Sequence, residues 1–300
     1  MYPFAMIAAL STSRLRLTLD MIKFEHSAFA LPFAIVGALL AWRGAAEPVT
    51  GIAPKFAWIL LAMVSARSAA MAFNRLLDRD IDARNPRTAT RHLPAGLLAP
   101  RFVWLFFAAT VALFLLAAAM LGPLCLWLSP VALAVILFYS FTKRFTALSH
   151  LVLGLALGIA PMAAGIALTG HIDFRLVPLM AAVMCWTAGF DIIYACQDYD
   201  FDRAAGLHSI PVRLGLTKAL FTSRLLHVGM VACLLWLWRA YLLHWLALLG
   251  IGITAALLIY EHSLVRPNDF RRVDAAFFAV NGWVSLVFGA CWALDILWLS

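Results

Sequence analysis

Seven of the chain's 15 acidic residues crowd into two short stretches, Asn74-x3-Asp78-x3-Asp82 with Asp80 and Asp191-x6-Asp198-x3-Asp202 with Asp200, each at the end of a long apolar segment. An ionised carboxylate is costly at the edge of hydrocarbon, so this concentration calls for a cation. Asn74, Asp78 and Asp82 repeat every four residues, which on a helix stacks them along one face with neighbouring Cβ atoms about 5–6 Å apart. The spacing of Asp191, Asp198 and Asp202, seven and then four, again keeps three carboxylates near one helical face. Two such rows facing each other make a clamp for Mg2+, which takes carboxylate oxygens at about 2.0–2.1 Å and shares its remaining positions with water and substrate phosphate. His and Cys are absent from both rows, which argues against zinc or a redox metal. Basic residues keep the rows company: Arg87 and Arg91 follow the first, Lys143 and Arg144 end another apolar segment, and Arg67 lies two turns before Asn74 on its face. Carboxylate, hard cation and guanidinium around one volume is the combination that binds a diphosphate and stabilises it as a leaving group. Asp80 and Asp200 fall off the four-spaced faces and read as partners of loop arginines.

The elements that must carry these rows are membrane helices. With 64% hydrophobic and 13% charged residues over 300 positions and a mean hydropathy of +0.92, the chain exceeds what a soluble domain buries. Spans of about 20 apolar residues give an all-α, polytopic reading with nine transmembrane helices, at 27–46, 54–77, 101–121, 124–142, 149–169, 174–197, 217–238, 240–260 and 274–297. The Gly122-Pro123 turn leaves almost no loop between the third and fourth, and Pro130 falls inside the fourth. Seventeen Lys and Arg lie in the N-terminal lead and alternate loops, four (Arg43, Lys55, Arg175, Arg239) on the opposite side, and Arg67 and Arg75 inside the second span. The positive-inside rule then puts the N-terminus and both acidic rows in the cytoplasm and the C-terminus outside, in an inner or cytoplasmic membrane. The two longest loops, about 83–100 and 199–216, each follow an acidic row, as binding loops or lids do. One domain over 1–300 is expected, with 1–23 as a cytoplasmic lead and no cleaved signal, since Met1–Leu10 lacks a basic n-region.

Other function classes fit less well. The net charge of +8 sits in short loops and forms no stripe on a soluble fold, so nucleic acid is not an expected partner. Cys125, Cys185, Cys196, Cys233 and Cys291 have no C-x2-C pairing and read as small membrane-embedded side chains. His150, His171, His227, His244 and His262 stand singly and form no ligand set by sequence. An ion-coupled transporter using the carboxylates as proton or cation sites is the alternative, disfavoured because the acids gather at one membrane face and not at the midplane.

At these residues the chain resembles the membrane-embedded aromatic prenyltransferases of the UbiA family. Its N-x3-D-x3-D signature is matched by Asn74 to Asp82, and its R-T-x2-R-x-L-P-x-G stretch by Arg87-Thr88-Ala89-Thr90-Arg91-His92-Leu93-Pro94-Ala95-Gly96. The second signature, D-x2-Y-A-x2-D-x3-D-x3-G-x2-S, is matched by Asp191, Tyr194, Ala195, Asp198, Asp202, Gly206 and Ser209, and Tyr139-Ser140-Phe141-Thr142-Lys143-Arg144 is similar to an aromatic-rich segment ending in Lys-Arg. The resemblance implies a nine-helix bundle with a cytoplasm-facing cavity, in which Asn74, Asp78, Asp82, Asp191, Asp198 and Asp202 hold Mg2+ and the diphosphate of a polyprenyl donor. It further implies that Arg87, Arg91, Lys143 and Lys23 assist the diphosphate, that Tyr139 and Tyr194 face the allylic cation, and that Arg67 or Arg144 orients the carboxylate of an aromatic acid. Members acting on 4-hydroxybenzoate often carry R-x-D-K-P near the first helix, where this chain has Ile22-Lys23-Phe24-Glu25-His26-Ser27. That run, with Phe29-Ala30-Leu31-Pro32-Phe33 and Gly206-Leu207-His208-Ser209-Ile210-Pro211, resembles a branch labelled 4-hydroxybenzoate polyprenyltransferase but associated with menaquinone synthesis through futalosine, whose acceptor is 1,4-dihydroxy-6-naphthoate. Either acceptor makes the product a quinone precursor, of ubiquinone or of menaquinone. Glu25 and His26 read as interfacial residues.

Overall fold

The computed structural model describes residues 14–23, 29–45 and 49–299; Phe24, Glu25 and His26 lie outside the described residues. Long apolar runs have only one way to satisfy their backbone groups in a bilayer without closing a barrel, and the described residues are accordingly helical with no strand. In chain order the helices are α1 (Leu31–Arg43), α2 (Ile52–Leu77), α3 (Arg79–Arg84), α4 (Pro100–Leu121), α5 (Pro123–Thr142), α6 (Ser149–Thr169), α7 (Val177–Ala195), α8 (Tyr199–Ala204), α9 (Ile210–Leu214), α10 (Leu216–Ala240), α11 (Trp245–Ser263) and α12 (Asn281–Leu294).

Eight segments among the described residues are long and apolar enough to cross a membrane, and they match the second to ninth expected spans. The first expected span is different. Only 13 residues of it, Leu31–Arg43, form a described helix, about 20 Å long at 1.5 Å per residue against a hydrocarbon core of about 30 Å, so a count of nine spans is not established. This short helix is nonetheless the most enclosed: Phe33, Ala34, Val36, Ala38 and Leu40 are fully buried where α1 packs between α6 and α12. Gly122, at φ 130° and ψ 169°, makes the sharp division between α4 and α5, and Pro130 does lie inside α5.

Helices α2, α4, α5, α6 and α7 and the 275–280 turn line one cavity, while α1 packs on α6 and α12, α10 on α7 and α11 on α12. Without a hydrophobic force between helices in lipid, close approach depends on small residues. Gly154 and Gly158 of α6 lie against the Met184 and Met180 carbonyls of α7, and a Cβ at Gly154 would collide with that carbonyl. Gly154→Leu is therefore expected to prevent stable packing, read as loss of a monodisperse peak in detergent, whereas Gly252→Leu, which meets open space, is expected to be tolerated.

The two expected long loops are partly helical. Residues 79–84 form α3, 199–204 form α8 and 210–214 form α9. Their short helices keep both acidic rows in register past the ends of the membrane helices.

Candidate active site

Each row spans a break in its helix. α2 stops at Leu77, but Asp78 N–H still donates to Asn74 O at 2.9 Å and Asp82 N–H to Asp78 O at 2.7 Å, so the four-residue ladder and the common face continue into α3. α7 stops at Ala195, a 3-10 turn covers Cys196–Asp198, and α8 carries Asp202. Asp78 (φ −90°, ψ 3°) and Asp198 (φ −96°, ψ 6°) occupy the same sparsely populated bridge conformation, a frequent setting for active-site residues. The middle residue of both rows thus sits at the helix break.

The rows meet at one end of a cavity of about 1000 Å³, at the upper end for small-molecule sites. Its mouth carries Asn74, Asp78, Asp82, Arg87, Arg91, Lys143, Asp191, Asp198 and Asp202, and its depth is apolar, reaching Leu121, Cys125 and Ile172. Asp78, Asp82, Asp191 and Asp198 are each matched by a cation, an amide or an imidazole. Asp78, nearly inaccessible, accepts from Lys143 Nζ at 2.5 Å and Asn74 Nδ2 at 3.0 Å on Oδ2, and from Arg144 Nη2 at 3.0 Å on Oδ1. Asp82 accepts from Arg91 Nη1 at 2.7 Å on Oδ1. Among the described residues its buried Oδ2 makes no hydrogen bond, and Arg75 Nη1 stands 3.9 Å away. Arg87 crosses from the first loop to the second row and grips Asp198 with Nε at 2.8 Å and Nη2 at 2.5 Å, while Nη1 donates to Tyr194 Oη at 3.1 Å. Burial works against the Arg87 charge, but the Asp198 carboxylate and Tyr194 hold its pKa above the ordinary arginine value.

The remaining expected residues fall into two groups. Arg67, Tyr139, Tyr194 and Lys23 line the cavity, Lys23 with its ammonium on Asp20 Oδ1 at 2.8 Å. Arg144 does not line it: its guanidinium is spent on Ser140 O at 2.6 Å, Leu77 O at 3.0 Å and Asp78, which makes it a brace behind the first row. Of the two arginines expected to orient an acceptor carboxylate, Arg67 therefore faces the cavity and Arg144 does not. Asp80 and Asp200 are exposed and off the cavity, consistent with their off-face spacing.

Two residues of the site escaped the sequence reading. His150, read there as isolated, is buried with Nδ1 2.7 Å from Asp191 Oδ2, and Ile210 N–H points at its Nε2 at 3.4 Å. A donor on Nε2 leaves Nδ1 as the protonated nitrogen, so His150 donates to Asp191. Asn85 donates from Nδ2 to Asp198 Oδ1 at 3.1 Å and accepts the Arg87 N–H at 3.0 Å, which shapes the turn that delivers Arg87. No local spacing announces either, because His150 is 41 residues from Asp191 and Asn85 is 113 from Asp198. The 205–209 segment closes the arrangement, with His208 N–H donating to Lys143 O at 2.8 Å.

Among the described residues no three His, Cys, Asp or Glu side chains converge tightly enough to cage a metal. The residues nonetheless fit Mg2+, which is ordinarily held by one or two carboxylates plus substrate phosphates. The donors are hard oxygens, and the buried Asp82 Oδ2 has no hydrogen-bond partner among the described residues.

Comparison with known proteins agrees with this geometry. Residues 30–294 match the model of the UbiA prenyltransferase family. The 4-hydroxybenzoate octaprenyltransferase of Tolumonas auensis is 33% identical over 243 residues, covering 78% of this chain and 82% of that protein. The apo structure of a UbiA homolog from Aeropyrum pernix K1 superposes with a TM-score of 0.82 at 36% identity, over 91% of this chain and 99% of the other. A UbiA homolog from Archaeoglobus fulgidus, solved bound to GPP and Mg2+, shares the fold at a TM-score of 0.66 and 22% identity, over 93% and 99% of the two chains. The chain is an integral membrane protein that belongs to the UbiA prenyltransferase family.

Proposed function

We propose that the protein transfers a polyprenyl group from polyprenyl diphosphate to the ring of an aromatic acid in quinone biosynthesis, the chain working as one domain with both carboxylate rows toward the cytoplasm. The observation that carries this reading is the pairing of two carboxylate rows and their cations with a deep apolar cavity below them, a charged head site on a tail site. Identity of 33% to a 4-hydroxybenzoate octaprenyltransferase supports 4-hydroxybenzoate as acceptor. The run from Ile22 and the stretch Gly206–Pro211 support 1,4-dihydroxy-6-naphthoate as its competitor.

Asn74, Asp78 and Asp82 on one row and Asp191, Asp198 and Asp202 on the other would hold Mg2+. When bound, Mg2+ offsets the charge of the diphosphate and improves it as a leaving group. The chain's own residues do the rest. Arg87, Arg91 and Lys143 supply charge-assisted hydrogen bonds to the diphosphate oxygens, exchanging part of their contact with Asp198, Asp82 and Asp78. As the allylic C1–O bond breaks, its electron pair leaves on the diphosphate oxygen, and the cation remaining on the prenyl chain is met by Tyr139 and Tyr194. Arg67 holds the acceptor's carboxylate by its planar fork, so that a ring carbon beside the hydroxyl faces C1. That carbon supplies the pair for the new C–C bond and then releases its proton.

Purified protein with a polyprenyl diphosphate and Mg2+ is expected to yield a C-prenylated product, with 4-hydroxybenzoate and 1,4-dihydroxy-6-naphthoate competing in one tube. No product from either acceptor would overturn the proposal. Substrate flux in proteoliposomes, abolished by Asp78→Ala and accompanied by no bond formation, would favour the transporter instead.

A further inference from the structure

Ala275–Val280, between α11 and α12, is a π-helical turn, a rare geometry frequent at functional sites. Two consecutive residues of this turn, Phe277 and Phe278, line the cavity, their rings edge-on at 4.7 Å between centroids. Phe277 packs on Tyr194 at 4.3 Å between centroids and edge-on to Phe190 at 5.2 Å, which puts it beside the second carboxylate row.

The turn is held by a buried polar network that the transfer chemistry otherwise leaves unexplained. Asn281 donates from Nδ2 to Ala276 O within the turn at 3.1 Å and to Glu261 Oε1 at 2.7 Å. Its Oδ1 accepts Trp186 Nε1–H at 2.6 Å, and Trp186 in turn packs edge-on to Phe190 at 5.1 Å. Asn281, Glu261 and Trp186 are fully buried. A buried amide with its oxygen and nitrogen both committed is a rigid bracket, and one of its bonds lands on the carbonyl of the residue just before Phe277.

We propose that Phe277 is a further catalytic residue, whose ring meets the allylic cation as the C1–O bond breaks, and that Asn281 is the residue positioning it. The bond's electron pair departs with the diphosphate, leaving positive charge shared between C1 and C3 until the acceptor ring closes the new bond. An aromatic face attracts such a charge through its quadrupole. Tyr194 is less suited to the task because the Arg87 guanidinium already stands over its ring at 5.3 Å. Phe277 has no polar handle and lines the cavity beside that ring, in contact with Phe190 and Phe278.

This inference rests on the transfer reading, and its test separates the two. Phe277 is replaced by phenylalanines carrying one, two and three ring fluorines, nearly equal in volume but progressively weaker in quadrupole, and single-turnover transfer is measured on protein whose detergent peak is unchanged. The rate is expected to fall stepwise by about tenfold across the series with the donor KM unchanged. An active parent with a flat series overturns the role of Phe277 and leaves the transfer reading intact; an inactive parent overturns the reading itself. In an Asn281→Gln background, which keeps the amide but moves it by one methylene, the fluorine dependence is expected to shrink. A dependence of undiminished slope there overturns the positioning role of Asn281.

Discussion

Asp78→Asn is expected to lower the prenyl-transfer rate by about a thousandfold or more, the scale of losing a preorganised electrostatic group at the reacting centre. Asp78 sits at the helix break of the first row and is nearly inaccessible, and it neutralises Lys143 at 2.5 Å and Arg144 at 3.0 Å together. Its loss has two separable effects. The first is on stability: breaking a buried pair costs about 3–5 kcal/mol, and roughly half of that is expected here because Lys143 and Arg144 keep about a third of their side-chain surface in solvent. The second is on chemistry, through the lost ligand and the misplaced Lys143. Adding Lys143→Met removes one of the stranded cations, so the double variant is expected to recover part of the thermal stability and none of the activity. Recovery of both would reduce the Asp78 carboxylate to a structural counter-ion. Thermal unfolding in detergent and single-turnover transfer read the two effects independently.

The second large effect is expected at Arg87. Its guanidinium makes two parallel bonds to Asp198, at 2.8 and 2.5 Å, and a third to Tyr194 at 3.1 Å, tying the loop after the first row to the middle of the second. Lysine keeps the charge and three donors but lacks the planar fork, so it cannot reproduce the two parallel bonds to Asp198 while also reaching Tyr194. Arg87→Lys is expected to cut kcat/KM for the polyprenyl donor by about a hundredfold, corresponding to about 2.7 kcal/mol of transition-state stabilisation. Arg87→Ala should do more, because it also leaves the Asp198 carboxylate, only 17% exposed, without its cation. The KM for the aromatic acceptor should change little in either variant. A lysine variant with parental kcat/KM would show that charge alone is needed at this position.

Both expectations concern residues whose type and spacing were already informative. The four-residue repeat of Asn74, Asp78 and Asp82 specifies a common face because helical periodicity is local, and the structure keeps that face even where α2 breaks. The same holds for the eight long apolar segments, whose lengths follow from the thickness of hydrocarbon. The first helix shows where such reasoning ends. Eight of its 13 residues are buried where it packs on α6 and α12, and a hydropathy pattern cannot distinguish an enclosed helix from one facing lipid.

Within the site, the division follows sequence separation. Lys143 with Asp78, Arg87 with Asp198 and His150 with Asp191 are partners 65, 111 and 41 residues apart, and no periodicity links them. Arg144 and Arg67 looked equivalent as cations near the first row, yet only packing decides that one braces the backbone at Ser140 and Leu77 while the other lines the cavity. The π-helical turn that carries Phe277 and Phe278 is likewise held by Asn281, Glu261 and Trp186 from three helices. The sequence by itself determined the membrane helices, the two carboxylate rows and the diphosphate chemistry they imply, because each rests on local period and composition. The tertiary structure alone decided which cation faces which carboxylate and which aromatic rings face the substrate, because those depend on distances between helices that the chain brings together only when it packs.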